Sequence, residues 1–78
     1  MATPLQTAYL AASGYHNPDI FFRMVLPDGA ESDIEIVVGK GELKKSVVEQ
    51  KLVAEYKHWN EDTEPPEGWS FEYVEVFG

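Results

Sequence analysis

The 78-residue sequence contains no cysteine. Disulfide staples, thiolate metal ligands and cysteine nucleophiles are therefore excluded. No apolar run approaches the ~18 residues that a membrane-spanning helix requires. The residues after Met1 form neither a basic n-region nor a long apolar h-region. A secretory signal is not expected on that pattern, and a cytoplasmic location is. Basic residues are scarce: six Lys and Arg stand against fourteen Asp and Glu, for a net charge of −8 at pH 7. Bare DNA, RNA and anionic lipid are poor partners for such a chain, because too few counterions would be released to offset the repulsion. Basic proteins are the expected partners, since opposite fields speed encounter. The same charge also serves solubility.

What charge there is falls in blocks. Residues 60–78 carry Glu61, Asp62, Glu64, Glu67, Glu72 and Glu75 and no Lys or Arg. A second acid-only stretch holds Asp28, Glu31, Asp33 and Glu35, and five of the six basic residues lie between the two, from Lys40 to Lys57. Hydrophobic residues make up 44% of the chain, enough to argue for a folded core despite the charge. The length fits one domain, residues 1–78. A domain of this size buries only roughly 60–65% of its unfolded surface.

Five elements are expected. Thr3-Pro4-Leu5-Gln6 reads as an N-cap, a proline at the first helical position and a capping-box glutamine, opening a helix over about 4–13. Leu5, Ala8, Tyr9 and Ala12 share its face, and Gly14 sits where a left-handed cap would end it. A hairpin follows at about 20–38. Ile20, Phe22, Met24 and Leu26 alternate inward, Pro27-Asp28-Gly29 makes a three-residue loop, and Ser32, Ile34, Ile36 and Val38 continue inward. That loop predicts a register with Phe22 opposite Ile34, Ile20 opposite Ile36 and Arg23 opposite Asp33. A main helix is expected at about 46–60, opened either by Gly41-Glu42, with an extra turn in front, or by Ser46 to Glu49 as a second capping box; Val48, Leu52, Tyr56 and Trp59 form its apolar stripe, and Leu43 falls on the opposite side of that wheel. A Pro-rich acidic loop leads to a strand at about 69–77. In that strand Trp69, Phe71 and Tyr73 share one parity and Val74 and Val76 the other, so either both faces are apolar or a bulge near Tyr73 shifts the phase. The order α-β-β-α-β predicts an α+β fold: a three-stranded sheet with an antiparallel hairpin and both helices on one face. The last strand lies either parallel beside the second or antiparallel beside the first.

Chemical motifs are few. His16 and His58 are isolated and lack the converging ligands that zinc needs. The Glu61-Asp62-Thr63-Glu64 segment does not match the oxygen-ligand pattern of a calcium loop, and Gly39-Lys40-Gly41 lacks the full phosphate-loop spacing. The acids occupy outward strand positions and a loop, where carboxylates stay solvated, so neither an enzyme nor a cofactor nor a metal is expected. Trp69, Phe71 and Tyr73 are either core or an exposed anchor for a partner. On the second strand Glu31, Asp33 and Glu35 project every second residue, about 6.6–7 Å apart. That approaches the spacing of successive phosphates, so the row is a candidate nucleic-acid mimic. Glu61, Asp62, Glu64 and Glu67, with Asp28, extend it.

The fragment Pro65-Pro66-Glu67-Gly68-Trp69 resembles the Pro-x-Gly-Trp segment of MbtH-like proteins, but only over these residues and in a different order of elements. In overall profile the chain looks like phage-encoded inhibitors of host defence, including anti-CRISPR and anti-restriction proteins, and equally like small bacterial immunity proteins. The resemblance implies a non-enzymatic inhibitor, a monomer or weak homodimer, that blocks the groove of a basic nucleic-acid-handling protein. The alternative is a structural or assembly subunit of a virion or complex.

Overall fold

Thr3 opens the first helix through its side chain. In the computed structural model, which describes residues 2–78, Thr3 Oγ1 accepts from the Gln6 N–H at 3.1 Å and Gln6 Oε1 accepts from the Thr3 N–H at 2.9 Å. This capping box starts α1, Pro4–Ala12. Its end differs from the expectation. Gly14 does not adopt a left-handed conformation; instead the Ser13 hydroxyl and N–H both donate to the Leu10 carbonyl. Ala8 and Ala12 are buried and Leu5 packs beside them, whereas Tyr9 is exposed. Alanines on the buried stripe bring α1 close to the sheet, and the bulkier Tyr9 lies outside that contact.

Strands β1 (Asp19–Val25) and β2 (Glu31–Gly39) form the antiparallel hairpin. Its tip is as the loop chemistry requires: Gly29 has φ +87°, its N–H donates to the Leu26 carbonyl, and the Leu26 N–H donates to Ala30. Beyond the tip the register departs from the expectation. Phe22 pairs with Ile36, Ile20 with Val38 and Arg23 with Glu35, while Val25 pairs with Glu31. Two extra residues of β2 are thus accommodated between Arg23 and Val25. Ser32 explains how. Its hydroxyl donates to the Met24 carbonyl at 2.8 Å and accepts from the Ile34 N–H at 3.2 Å, replacing lost ladder bonds. A slip of two preserves the alternation of faces, whereas a slip of one would have turned the strand inside out.

A 3-10 turn at Lys40–Glu42 follows, and α2 runs from Lys45 to Trp59. Ser46 lies inside α2, and its N-cap, Lys44, makes no side-chain cap bond, so the expected box at Ser46–Glu49 is not used. Because Leu43 precedes the helix, it escapes the helical phase and packs on the core. Strand β3, Ser70–Phe77, pairs antiparallel with β1, giving the order β2-β1-β3. The register jumps from Phe21↔Glu75 to Phe22↔Tyr73, leaving Val74 as the bulged residue. The bulge reconciles the two parities: Phe71 and Tyr73 before it and Val76 after it all pack against the core.

That core lies between one face of the sheet and both helices. It holds Ile20, Phe22 and Met24 from β1, Ile34 and Val38 from β2, Ala8 and Ala12 from α1, and Val48 and Leu52 from α2. Phe22 sits edge-on to Phe71 and Tyr73, with centroids 5.6 and 6.5 Å apart. Helix α1 lies over β3, and α2 over β2 and β1.

Removing the Ser32 hydroxyl strands the Met24 carbonyl and the Ile34 N–H. Ser32→Ala should lower unfolding free energy in urea by about 1–2 kcal/mol, with an unchanged m-value. Glu42 yields a pH prediction. Its carboxylate accepts from the Gly39 N–H at 2.9 Å and lies 3.6 Å from Lys51 Nζ. The Gly39 N–H first, and Lys51 second, hold its pKa below the usual 4.5. The resulting stabilisation is present above that value and is lost as pH falls through the depressed folded pKa. Glu42→Gln should therefore lose less stability than the native chain on acidification below about 4.5, measured by thermal melts across the acid limb.

Candidate functional site

Topology gathers the two acid-rich segments at one end of the molecule. Strand β2 runs away from the hairpin tip and α2 runs back, so Trp59 finishes beside the place where β2 began. The following connection must then reach Ser70, which pairs with Val25 at that same end. Residues 60–69 therefore lie against the hairpin tip. The fit is close at Gly68, where an added Cβ would stand 3.6 Å from Pro27 Cβ. Gly68 also has φ +94°, so its lack of a side chain matters for conformation as well as for space.

Asp28, Glu31, Asp33, Glu61, Asp62, Glu64 and Glu67 are all exposed at this pole. The carbonyl end of α2 points the same way and adds negative potential. Lys57, in the last helical turn, opposes it and pairs with Glu64 at 2.8 Å. The Glu64 carboxylate holds the Lys57 pKa above its usual value. Lys40, Lys44 and Lys45 lie at the opposite end, near the start of α2. A 15-residue helix separates the two ends by about 20 Å at ~1.5 Å per residue.

The bend after α2 is held by backbone bonds. The Lys57 carbonyl accepts from the N–H groups of Asn60 and Asp62, and the Asn60 amide donates to the Tyr56 carbonyl at 2.8 Å. Glu61 and Asp62 take φ values of +53° and +62°. Left-handed backbone costs an L-residue roughly 1–2 kcal/mol; glycine escapes that cost, and asparagine and aspartate bear it best, so Glu61 is the less usual of the two. Here both are acids.

The strand-two row is organised differently from the expectation. Arg23 does not face Asp33. Its guanidinium reaches Glu31 at 2.8 Å, Glu35 at 3.2 Å and Glu72 at 3.5 Å across the uncovered face of the sheet. The hydrogen bond that Arg23 donates to Glu35, reinforced by the charges around it, raises the Arg23 pKa further. Two of the three carboxylates in the row are thus held by one cation, and Asp33 remains outside this cluster. Asp28 is occupied in the turn, where its carboxylate accepts from the Ala30 N–H at 3.0 Å. Trp69, Phe71 and Tyr73 lie on the helix-covered side and are half-buried against the core, not on the open face.

Trp59 was expected to complete the buried stripe of α2, and it does not. Val48 and Leu52 are fully buried and Tyr56 is half-buried, but Trp59 is 70% exposed. Burial falls along the helix as a cleft opens between its last turn and the hairpin. Periodicity could not reveal this, because Trp59 keeps the correct helical phase; what fails is the distance to the sheet. Among the described residues, no group of three or more His, Cys, Asp or Glu is arranged to hold a metal, and no helix is long and apolar enough to cross a membrane. No family, curated protein or solved structure matches this chain.

The Arg23 cluster has a measurable signature. Arg23→Met leaves Glu31, Glu35 and Glu72 facing one another without their cation. The urea midpoint should fall at low salt and recover in part as salt rises, since screening weakens repulsion between exposed charges. A salt-independent loss would show that the stem of Arg23, rather than its charge, carries the effect.

Proposed function

We propose that this protein is a small non-enzymatic inhibitor that engages a basic, nucleic-acid-handling protein through its acidic pole and blocks the groove that would hold nucleic acid. The observation that carries this reading is the convergence of Asp28, Asp33, Glu61, Asp62, Glu64 and Glu67 at one end, away from Lys40, Lys44 and Lys45. A charge dipole of this kind orients the molecule during approach as well as attracting it. The left-handed backbone at Glu61 and Asp62 makes the bend tight and holds both acids at the pole beside the end of α2. Such a role is in keeping with phage-encoded anti-CRISPR or anti-restriction inhibitors, acting as a monomer or weak homodimer.

The pole, rather than the strand-two row, is the recognition element in this proposal. Arg23 offsets the charge of Glu31 and Glu35 and ties their side chains to its guanidinium. Among the described residues, Asp33, Glu61, Asp62 and Glu67 make no ion pair, whereas Glu64 is held by Lys57.

A second reading, a structural or assembly subunit, draws on the outer face of the sheet. Neither α1 nor α2 covers it, and Val37 and Phe77 are exposed there beside Phe21, whose ring meets Phe77 edge-on at 5.5 Å. An apolar interface would persist in salt. Light scattering from about 0.1 M to about 1 M salt, as the screening length drops from about 10 Å to about 3 Å, separates the readings: a salt-stable oligomer favours assembly.

For the inhibitor, Asp33, Glu61, Asp62 and Glu67 should be reversed together to lysine. The native chain should suppress nucleic-acid binding by its basic partner, recovered by affinity capture from a host lysate, at low salt only. The reversed variant, with its fold verified by circular dichroism, should not suppress it. Undiminished inhibition by that variant would reject the acidic pole as the binding element.

A further inference from the structure

A cleft that the sequence does not announce lies at the acidic pole itself. Leu26 and Ile34 from the hairpin, Tyr56 and Trp59 from α2 and Pro66 from the loop line a space of about 620 Å³. Asp33 and Asn60 stand at its polar margin. Three features of this cleft bear on what it would hold. Five of its eight lining residues are apolar or aromatic, and Trp59 presents an indole that is 70% exposed. Asp33 supplies a carboxylate that Arg23 does not engage, unlike its neighbours Glu31 and Glu35. The Asn60 amide nitrogen is committed to the Tyr56 carbonyl, which leaves its side-chain oxygen to accept a hydrogen bond.

We infer that this cleft is a receptor for an arginine side chain presented by a basic protein partner. The occupant follows from the chemistry of the walls. An indole face attracts a cation through its quadrupole, and tryptophan does so best among the aromatic residues. A guanidinium is planar, weakly hydrated and able to stack, while its N–H fork matches a carboxylate. Its aliphatic stem lies along apolar surface with little penalty. An ammonium group satisfies the charge but neither the stacking nor the fork. A purely apolar side chain would fill the cleft yet leave Asp33 without a counter-charge. The surrounding potential, set by Glu61, Asp62 and the α2 carbonyl end, favours a cation further.

The inference rests on the acidic-pole reading and adds a point of selectivity within it. Long-range steering does not distinguish Lys from Arg, but a stacking site does. The exposed position of Trp59 also matches the kind of residue that dominates binding energy at protein interfaces.

The test uses two peptides of equal charge, tetra-arginine amide and tetra-lysine amide, titrated into the whole protein and followed by two-dimensional amide and indole NMR. The Trp59 indole signal is assigned by its loss in Trp59→Phe. Tetra-arginine should shift the Trp59 indole and the Asp33 amide and should bind more tightly than tetra-lysine. Trp59→Ala should weaken tetra-arginine by about 2- to 30-fold and bring the two peptides level. Asp33→Asn should weaken tetra-arginine by about tenfold, and the dispersed amide spectrum of each variant reports its fold. If both peptides bind equally to the native chain and the Trp59 indole does not move, the arginine receptor is overturned while the acidic pole stands. If neither peptide binds at low salt, the receptor and the pole fall together.

Discussion

Strand β1 is the constraint on which the fold depends. It is the central strand of the order β2-β1-β3, paired on both sides, and its Ile20, Phe22 and Met24 are fully buried beneath the helices. Each such side chain is worth about 1.5–3 kcal/mol relative to exposure, a large share of the stability that a chain of this length can hold. Everything else is arranged to keep that face covered. Helix α1 brings alanines to the sheet, so it lies close over β3; α2 brings Val48 and Leu52 over β1 and β2. The opposite face of β1 has no such cover and is organised by charge. Arg23 sits in the middle of it with a glutamate on either neighbouring strand.

The two irregularities of the sheet serve the same end by different means. On the β2 side two residues are absorbed, so parity is unchanged and only the cross-strand partners shift. On the β3 side one residue is absorbed, so parity is reversed, and the sequence compensates by placing apolar residues on both parities. The second irregularity was legible because an odd insertion leaves a mark in the hydrophobic pattern. The first was invisible because an even insertion leaves none. Only Ser32, a polar residue at an inward position, hinted at it, and its two hydrogen bonds to backbone account for its presence there. Element order, the hairpin tip, the α1 cap and most of the core follow from local chemistry and period. The start of α2 was displaced by one residue because a second plausible cap, Ser46, competed with a 3-10 turn that carries no strong signature.

The candidate site was legible as composition and illegible as geometry. That acids cluster near residues 28–35 and 61–67 is plain from the residues alone. That the clusters meet is a consequence of strand order. Had β3 paired beside β2, the route from Trp59 to Ser70 would have been different and the two segments need not have shared one end. Arg23 shows the same limit at smaller scale: the alternation predicted an acidic row correctly, but the even slip moved its cation from Asp33 to the two glutamates. Trp59 is the most consequential residue that pattern could not place. A hydrophobic period reports direction around a helix and says nothing of how far the helix end stands from the sheet.

An acidic pole in a small domain has an energetic consequence that the local structure moderates. Seven carboxylates at one end repel one another, and the α2 carbonyls add to the repulsion. Two devices limit it. Arg23 bridges acids from two strands, and Lys57 ties the last helical turn to Glu64. Both devices lie at the margins. Arg23 engages the acids nearest the open face, and Lys57 engages an acid beyond the tight bend. Between them, among the described residues, Asp33 and Glu61 make no ion pair, while Asp62 lies within the field of Lys57. Compensation directed at the whole pole would place a base near its centre. Compensation that spares the centre is what a chain needs if the centre is where another charge is to be received.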